Sequence, residues 1–399
     1  MSYPKRPKNK KKIYLDYAAA TPVDPRVVAK MRPYFTEHFG NPSALYASGV
    51  KSRGDEDSAR AKIAKILVAR PDEIIFTGGG TEANNLSIFG VTEAHRRHGR
   101  HIVTTNIEHH SILEPLKKLE IAGFTVTYLP TKPDGTLDLK QIIKSIRPDT
   151  ILISIMYANN EIGTVNDIAG IGREILKLRK QNHSIYPFFH TDACQAAGLL
   201  DLSVNKLHVD LMTVNSSKIY GPKGIGILYK RRGVELTPQI LGGSQEGGQR
   251  GGTENIPGII GIAEALDISQ KNKDAEGKRL RKLIEYFWKK IQTIPDVKLN
   301  GRLESRLPNN LNVCVKGIEG EALVLYLSEY GIECATGSAC AAADAEPSHV
   351  LRACGLDEAE TRGSIRFTIG RWTRKTDIDY ALKYLPEIIK ELRQASKLK

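Results

Sequence analysis

Six short stretches of this chain hold side chains that can do chemistry, and five of them follow apolar runs of strand length. "GGGTEANN" (78–85) opens a helix-like run with Gly80 and Thr81, whose backbone N–H groups and hydroxyl can hold an anion such as phosphate. The same pair also suits a tight turn and an N-cap. "IEHHS" (107–111), "ANNEIG" (158–163) and "TDACQ" (191–195) place His109, Asn160 and Asp192 just past three other runs. Each alone suits a polar loop group satisfied by its neighbours. Together they form a set, because an aspartate at a strand end can keep a ring nitrogen protonated while an imidazole or amide packs against the same ring.

Lys218, in "SKIYGPKGIG" (217–226), is either a surface cation, the usual fate of lysine, or an amine that forms a Schiff base in a partly desolvated cleft. The sixth stretch, "GSACAAADAEPSHVL" (337–351), sets Cys340 among glycine, serine and alanine, with no bulky neighbour until Pro347. A nucleophilic thiol must be ionised, exposed and free to travel, and that setting suits it better than the role of a small packed hydrophobe. Cys334 and Cys354 stand in more apolar surroundings and read as packed thiols. A Schiff-base amine, an aspartate for a pyridinium nitrogen and a glycine/threonine phosphate cup together describe pyridoxal 5′-phosphate (PLP).

Those residues need elements to position them. The apolar runs "DEIIFT" (72–77), "RHIVTTN" (100–106), "FTVTYLP" (124–130), "TILISIMY" (150–157), "IYPFFHTDA" (185–193) and "DLMTVNS" (210–216) alternate with helix-like stretches such as "EPLKKLEIAG" and "IAGIGREILKLRKQ". That rhythm predicts a mostly parallel sheet with helices on both faces and a ligand at the carboxyl ends of its strands. After about residue 265 the pattern changes. "DISQKNKDAEGKRLRKLIEYFWKKIQTI" predicts a long amphipathic helix, followed by strand-like "NNLNVCVKG", helical "GEALVLYLSEYG", strand-like "SIRFTIG" and a terminal helix, as in a smaller α+β domain.

Composition removes several classes of function. With 399 residues and 41% hydrophobic content the chain can bury substantial cores, and its longest apolar runs fall far short of the roughly 18–20 residues that span a bilayer. Five scattered cysteines, without zinc spacing or an even count, point to a reducing cytoplasm and to no intrinsic metal site. The basic start "MSYPKRPKNKKK" has neither a secretory core nor transit-peptide character and reads as a solvated tail. The net charge of +13 invites nucleic-acid binding, yet Lys5, Arg6, Lys8, Lys10, Lys11 and Lys12 supply six of those charges, and no nucleic-acid-binding signature accompanies them. Nucleic acid is therefore not expected as the main partner, and no membrane is.

From "YLDYAAATPVDPRV" through "GNPSA", "FTGGGTEANN", "EHHSIL", "ANNEIGT", "HTDACQ", "SKIYGPKGIG", "GGSQEGGQRGGTEN", "GSACAAADAEPSHVLRA" and "SIRFTIGRWT", the chain resembles cysteine desulfurases of the iron–sulfur cluster assembly type. These are PLP enzymes of the class V aminotransferase family, and the resemblance runs from about Ile13 over nearly the whole chain with its motifs in family order. It implies the PLP-dependent transferase fold (fold type I), an α/β architecture. A large PLP-binding domain (26–265) with a mostly parallel seven-stranded sheet would join a smaller α+β domain (13–25 and 266–399) carrying the nucleophile loop, after a disordered basic tail (1–12).

The resemblance also assigns roles. Lys218 becomes the Schiff-base lysine, Asp192 the partner of the pyridinium nitrogen, and His109 the imidazole stacked on the ring and assisting proton transfer. Asn160 and Gln195 sit near the ring hydroxyl, and Gly80 and Thr81 form the phosphate cup. Asn215 and Ser217 stand near the phosphate where the family usually has serine and histidine, and Gly247 stands where it commonly has arginine. Thr253 reaches the phosphate of a neighbouring subunit, which implies a homodimer with composite sites. Arg366 binds the substrate carboxylate. L-cysteine would yield L-alanine and a persulfide on Cys340, passed to an iron–sulfur scaffold protein or to a sulfur-relay protein for tRNA thiolation. The persulfide would be that residue's only link to a metal, a transient 2Fe-2S cluster. A selenocysteine lyase, or another PLP-dependent lyase or aminotransferase, is the alternative on the same scaffold.

Overall fold

The structure, a computed structural model, describes residues 10–337 and 347–396. Cys340 and residues 1–9 of the basic tail lie outside the described residues. The strands are β1 (Ile13–Tyr14), β2 (Ile74–Thr77), β3 (His101–Thr105), β4 (Thr125–Leu129), β5 (Thr150–Ser154), β6 (Phe188–Asp192), β7 (Leu211–Asn215), β8 (Gly226–Lys230), β9 (Val297–Leu299), β10 (Asn310–Val315), β11 (Ile332–Glu333) and β12 (Ser364–Thr368).

Seven of them form one sheet in the order β2-β8-β7-β6-β5-β3-β4. Its pairs are parallel from β7 through β6, β5 and β3 to β4, whereas β8 runs antiparallel to both β2 and β7. The expected α/β fold with a mostly parallel seven-stranded sheet is thus the one observed. Each of the six apolar runs became a strand, trimmed to the residues that find a ladder partner. β8 follows the glycines of "GPKGIG", which break the apolar pattern that marked the others. Gly226 is needed there: a Cβ on it would stand 2.7 Å from the carbonyl carbon of Gly79.

β3, β5 and β6 are buried along their whole length, as strands covered on both faces must be. Their alternate residues divide between two cores. Phe76, Ile153, Phe189 and Met212 join one cluster, and Ile75, Leu152, Phe188 and Leu211 join the other beneath the helices Gly80–His95 and His110–Ile121.

A separate antiparallel sheet, β12-β10-β9, packs with the helices Gly320–Glu329 and Lys375–Ser396, while β1 pairs in parallel with β11. The long helix runs from Ile256 to Ile291, starting eleven residues before the amphipathic pattern at Asp267. Asn255 caps it by accepting from the Gly258 N–H at 3.1 Å, and Pro257 suits its first turn. Ile259, Ile262 and Leu266 belong to the core of the large sheet, whereas Leu280, Ile284 and Phe287 belong to that of the small one. The expected division at residues 265 and 266 falls inside this helix. Among the described residues no helix is long and apolar enough to cross a membrane.

At the far end of the sheet from the carboxyl edge, Asp210 is fully buried, accepts from the Phe189 N–H at 2.7 Å, and pairs with Arg179 and Arg231. It fixes the start of β7 against β6 and against the helix Ile168–Gln181. Asp210→Ala strands the buried Arg179 guanidinium and that N–H, and is expected to lower stability by about 3–5 kcal/mol, read as a fall in the urea unfolding midpoint. An unchanged midpoint would refute this role.

Candidate active site

Because β2, β3, β5, β6 and β7 all run the same way, the turns after them meet at one edge. There they surround a cleft of about 170 Å³ lined by Gly80, Thr81, His109, Asn160, Asp192, Gln195, Asn215, Lys218 and Arg366, all named from the sequence. Ser217 does not line it. Thr253 is exposed, in the segment before the helix Ile256–Ile291, and is not part of the cleft of its own chain.

Asp192, the last residue of β6, is 7% exposed, and a donor reaches each of its oxygens. Asn84 Nδ2 donates to Oδ2 at 2.7 Å and the Cys194 N–H to Oδ1 at 2.9 Å. Asn84 Nδ2 also donates to Ser111 Oγ at 2.8 Å, and Ser111 Oγ lies 2.8 Å from His109 Nδ1. His109 is the N-cap of the helix His110–Ile121, because its Nδ1 accepts from the Ser111 N–H at 3.1 Å. An Nδ1 that accepts a backbone N–H carries no proton, so the proton of the neutral ring sits on Nε2. Burial pushes the imidazole below its ordinary value, with Lys218 and His110 assisting, against the pull of Asp192.

The helix Gly80–His95 starts without a side-chain cap, after Gly79 at φ 153°. Its first N–H groups therefore suit an anion in the cleft. The fit is close: a Cβ on Gly80 would stand 2.8 Å from Cys194 Sγ and 3.3 Å from Asn215 Cβ. Asn215 Oδ1 accepts from the N–H and the hydroxyl of Ser217, both at 3.3 Å, and so caps the turn Ser216–Lys218. These two departures from the family pattern thus engage each other and set the turn that presents Lys218.

Lys218 Nζ donates to the carbonyls of Ala18 at 2.8 Å and Ala19 at 2.5 Å, and Gln195 Nε2 donates to Ala18 at 3.0 Å. Arg366 is 1% exposed; its Nη1 donates to the Asn160 carbonyl at 2.8 Å and its Nη2 to Asp16 Oδ1 at 2.7 Å. Arg366 Nε is buried without a partner among the described residues. An unused donor on a buried guanidinium lining a cleft fits an anionic ligand.

The loop of Gly247 has consecutive left-handed residues at Glu246 (φ 49°), Gly247 (φ 62°) and Gly248 (φ 79°), and glycine rather than arginine suits such a run. Glu246 holds the loop beneath β2 by accepting from Arg60 at 2.8 and 2.7 Å and from the Phe76 N–H at 2.9 Å.

All four described cysteines are pushed up, chiefly by burial: Cys194, which lines the cleft beside Asp192, and Cys314, Cys334 and Cys354, the last to about 11. None is a thiolate at neutral pH. Among the described residues no group of three or more His, Cys, Asp or Glu could hold a metal ion.

Sequence reading passed over Asn84, Ser111, Asp16 and Glu108. Asn84 lies four residues after Gly80, one helical turn, so that spacing could have found it. Fully buried Glu108 accepts at Oε1 from Thr105 Oγ1 at 2.8 Å and the Met156 N–H at 2.9 Å, and burial pushes its carboxyl up to about 8. Nothing in the sequence distinguishes it from a solvated loop glutamate.

The family model for aminotransferase class-V matches residues 13–381. A protein named cysteine desulfurase IscS, from Dictyoglomus turgidum, is 47% identical over 391 residues, covering 98% of this chain and 98% of that protein. A solved structure titled NifS-like protein superposes with a TM-score of 0.89 at 36% identity, covering 96% of this chain and all of that one. Another, titled SspA in complex with cysteine, has a TM-score of 0.78 at 37% identity and covers 90% of this chain and 98% of that one.

His109 is expected to titrate below 6.5, the ordinary histidine value. The neutral ring is the form that the fold favours, so its contribution to stability is present above that value and is lost as pH falls through the depressed one. Nitrogen-resolved imidazole NMR at pH 7 should show Nε2 protonated and Nδ1 as an acceptor. A proton on Nδ1, or a midpoint at or above 6.5, would contradict the assignment.

Proposed function

Because this chain belongs to the class-V aminotransferase family, we propose that it is a cysteine desulfurase that uses pyridoxal 5′-phosphate to convert L-cysteine into L-alanine and a persulfide on Cys340. The observation that carries this reading is the meeting of Lys218, the Asn84-held Asp192 and the uncapped helix start at Gly80 in one cleft. The donor set suits that cofactor: the helix start for its phosphate, Asp192 for its ring nitrogen, and Lys218 Nζ for its aldehyde carbon. When bound, the cofactor supplies an electron sink for the pair left at the substrate Cα.

The chain's own residues do the rest. Arg366, on the wall of the cleft and held by Asn160 and Asp16, receives the substrate carboxylate with the guanidinium N–H groups that those two bonds leave unused. Lys218 Nζ, leaving the carbonyls of Ala18 and Ala19, takes the Cα proton, and His109 exchanges protons at Nε2 because Nδ1 is engaged. The Cys340 thiolate attacks the substrate sulfur: the S–S bond forms, the Cβ–S bond breaks, and its electron pair remains with the carbon that leaves as alanine after protonation. With the four described cysteines protonated, Cys340 is the remaining candidate for that thiolate. In this reading the part formed by residues 13–25 and 266–399 carries Cys340, and the sulfur passes in the cytoplasm to a scaffold or relay protein.

A homodimer fits the surface. Phe35, Phe39, Leu45, Tyr46 and Val50 are 58–95% exposed within sixteen residues, more apolar side chain than a monomer ordinarily leaves in water along one segment. Thr253, exposed in its own chain, would then complete the partner's phosphate site.

The purified protein should be yellow and should yield alanine from L-cysteine. Lys218→Ala should lose both the colour and the turnover. Cys340→Ala should keep the colour and its response to cysteine while turnover falls by more than about 10³-fold. Wild-type turnover in either variant would overturn the assignment of that residue. Leu45→Glu with Tyr46→Glu should shift light-scattering mass from dimer to monomer, and an unshifted dimer would place the interface elsewhere.

A further inference from the structure

Glu82 is the third residue of the helix Gly80–His95, the position from which a glutamate in a capping box reaches back to the main chain before the helix. It does so here, where Glu82 Oε2 accepts from the Gly78 N–H at 2.7 Å. The other half of the box is missing, because the N-cap is Gly79, which has no side chain to accept from the first turn. From the strand side, Thr77 Oγ1 donates to the Gly79 carbonyl at 3.1 Å. The turn after β2 is thus held without drawing on the N–H groups that open the helix.

That arrangement sets a charge where an anion is to bind. A carboxylate in the first turn shares the positive end of the helix with an anionic ligand, and the two negative charges oppose each other. Arg250 neutralises it. Its Nε donates to Glu82 Oε1 at 3.0 Å, and the two side chains are only 26% and 22% exposed, so water and salt screen the pair in part.

The loop around Arg250 keeps the guanidinium in place. The Gly251 N–H donates to the Ile240 carbonyl at 2.9 Å, the Gln249 N–H to the Glu246 carbonyl at 3.1 Å, and the Gly252 N–H to Gln245 Oε1 at 3.1 Å. Glu246 in turn accepts from the Phe76 N–H on β2. The loop therefore grips the strand-turn-helix unit on both sides of Gly78, at Phe76 and at Glu82.

We propose that Glu82 and Arg250 are a positioning pair for the cofactor phosphate: Glu82 fixes the turn through Gly78, and Arg250 cancels the charge that Glu82 would otherwise set against the phosphate. Neither side chain lines the cleft, so the pair acts through the turn and through its charge balance rather than by contact. The inference rests on the reading of the helix start at Gly80 as the phosphate site of PLP.

The test titrates the full-length protein, freed of cofactor, with PLP and with pyridoxal, which keeps the ring and the aldehyde and lacks the phosphate. Arg250→Ala should weaken PLP binding about tenfold and leave pyridoxal binding within about twofold of wild type. Arg250→Gln, a smaller change that also removes the charge, should weaken PLP binding in the same way and carries the test if the alanine variant does not fold. Glu82→Gln, whose side-chain oxygen still accepts from the Gly78 N–H, should stay within about threefold of wild type, and so should the Glu82→Gln/Arg250→Ala double. The double variant therefore binds PLP more tightly than Arg250→Ala alone.

Wild-type PLP affinity in the arginine variants, or an equal loss for pyridoxal, would overturn the proposal. So would a double variant as weak as Arg250→Ala, because the guanidinium would then serve the phosphate itself. A wild-type protein that binds PLP no more tightly than pyridoxal would instead defeat the reading of the helix start as a phosphate site.

Discussion

The carboxylate of Asp192 is the constraint on which the site depends. A carboxylate at a strand end with 7% exposure is tolerable only where donors replace the lost water. Here the Asn84 amide and the Cys194 N–H take that part, one on each oxygen. The second proton of the Asn84 amide reaches Ser111, whose hydroxyl and N–H both meet His109 Nδ1. One amide therefore joins the helix Gly80–His95, the strand that ends at Asp192, and the helix capped by the His109 imidazole. Displacing any of the three disturbs the other two.

Behind this network the protein keeps its titratable groups neutral. Glu108 is pushed up to about 8 by burial, and His190, held between Ser154 Oγ and Thr213 Oγ1, is pushed down to about 4 for the same reason. Both are uncharged at neutral pH, as is the Cys194 thiol. The charged side chains that line the cleft all have partners: Asp192 has Asn84, Arg366 has Asp16, and Lys218 has the carbonyls of Ala18 and Ala19. In a site of low polarity such charges act strongly on a bound anion or ring, because little water competes with them.

The two walls of the cleft are built differently. One comes from successive turns of one parallel sheet. The other is assembled across two sheets: Arg366 stands on β12, reaches the Asn160 carbonyl in the turn region after β5, and exchanges backbone hydrogen bonds with Ala335 just before the Cys340 segment. The helix Ile256–Ile291 makes this possible, since its two halves lie in the two cores and hold one sheet against the other.

The pattern of the sequence determined the alternation of strand and helix, the edge at which ligands bind, and six of the residues that line the cleft, because strands that run in parallel bring their carboxyl ends to one side whatever loops join them. Gln195, Asn215 and Arg366 were named only by the family resemblance. The sequence also singled out Cys340, whose small neighbours are visible without a structure. It misjudged extents set by partners, such as the start of the helix at Ile256, where Asn255 and Pro257 rather than an amphipathic pattern begin the element. Only the tertiary structure decided which polar groups are paired. Ser111, Asp16 and Glu108 have no marking in the sequence, because their partners Asn84, Arg366 and Met156 stand 27, 350 and 48 residues away along the chain, and a hydrogen bond depends on distance in space rather than separation along the chain.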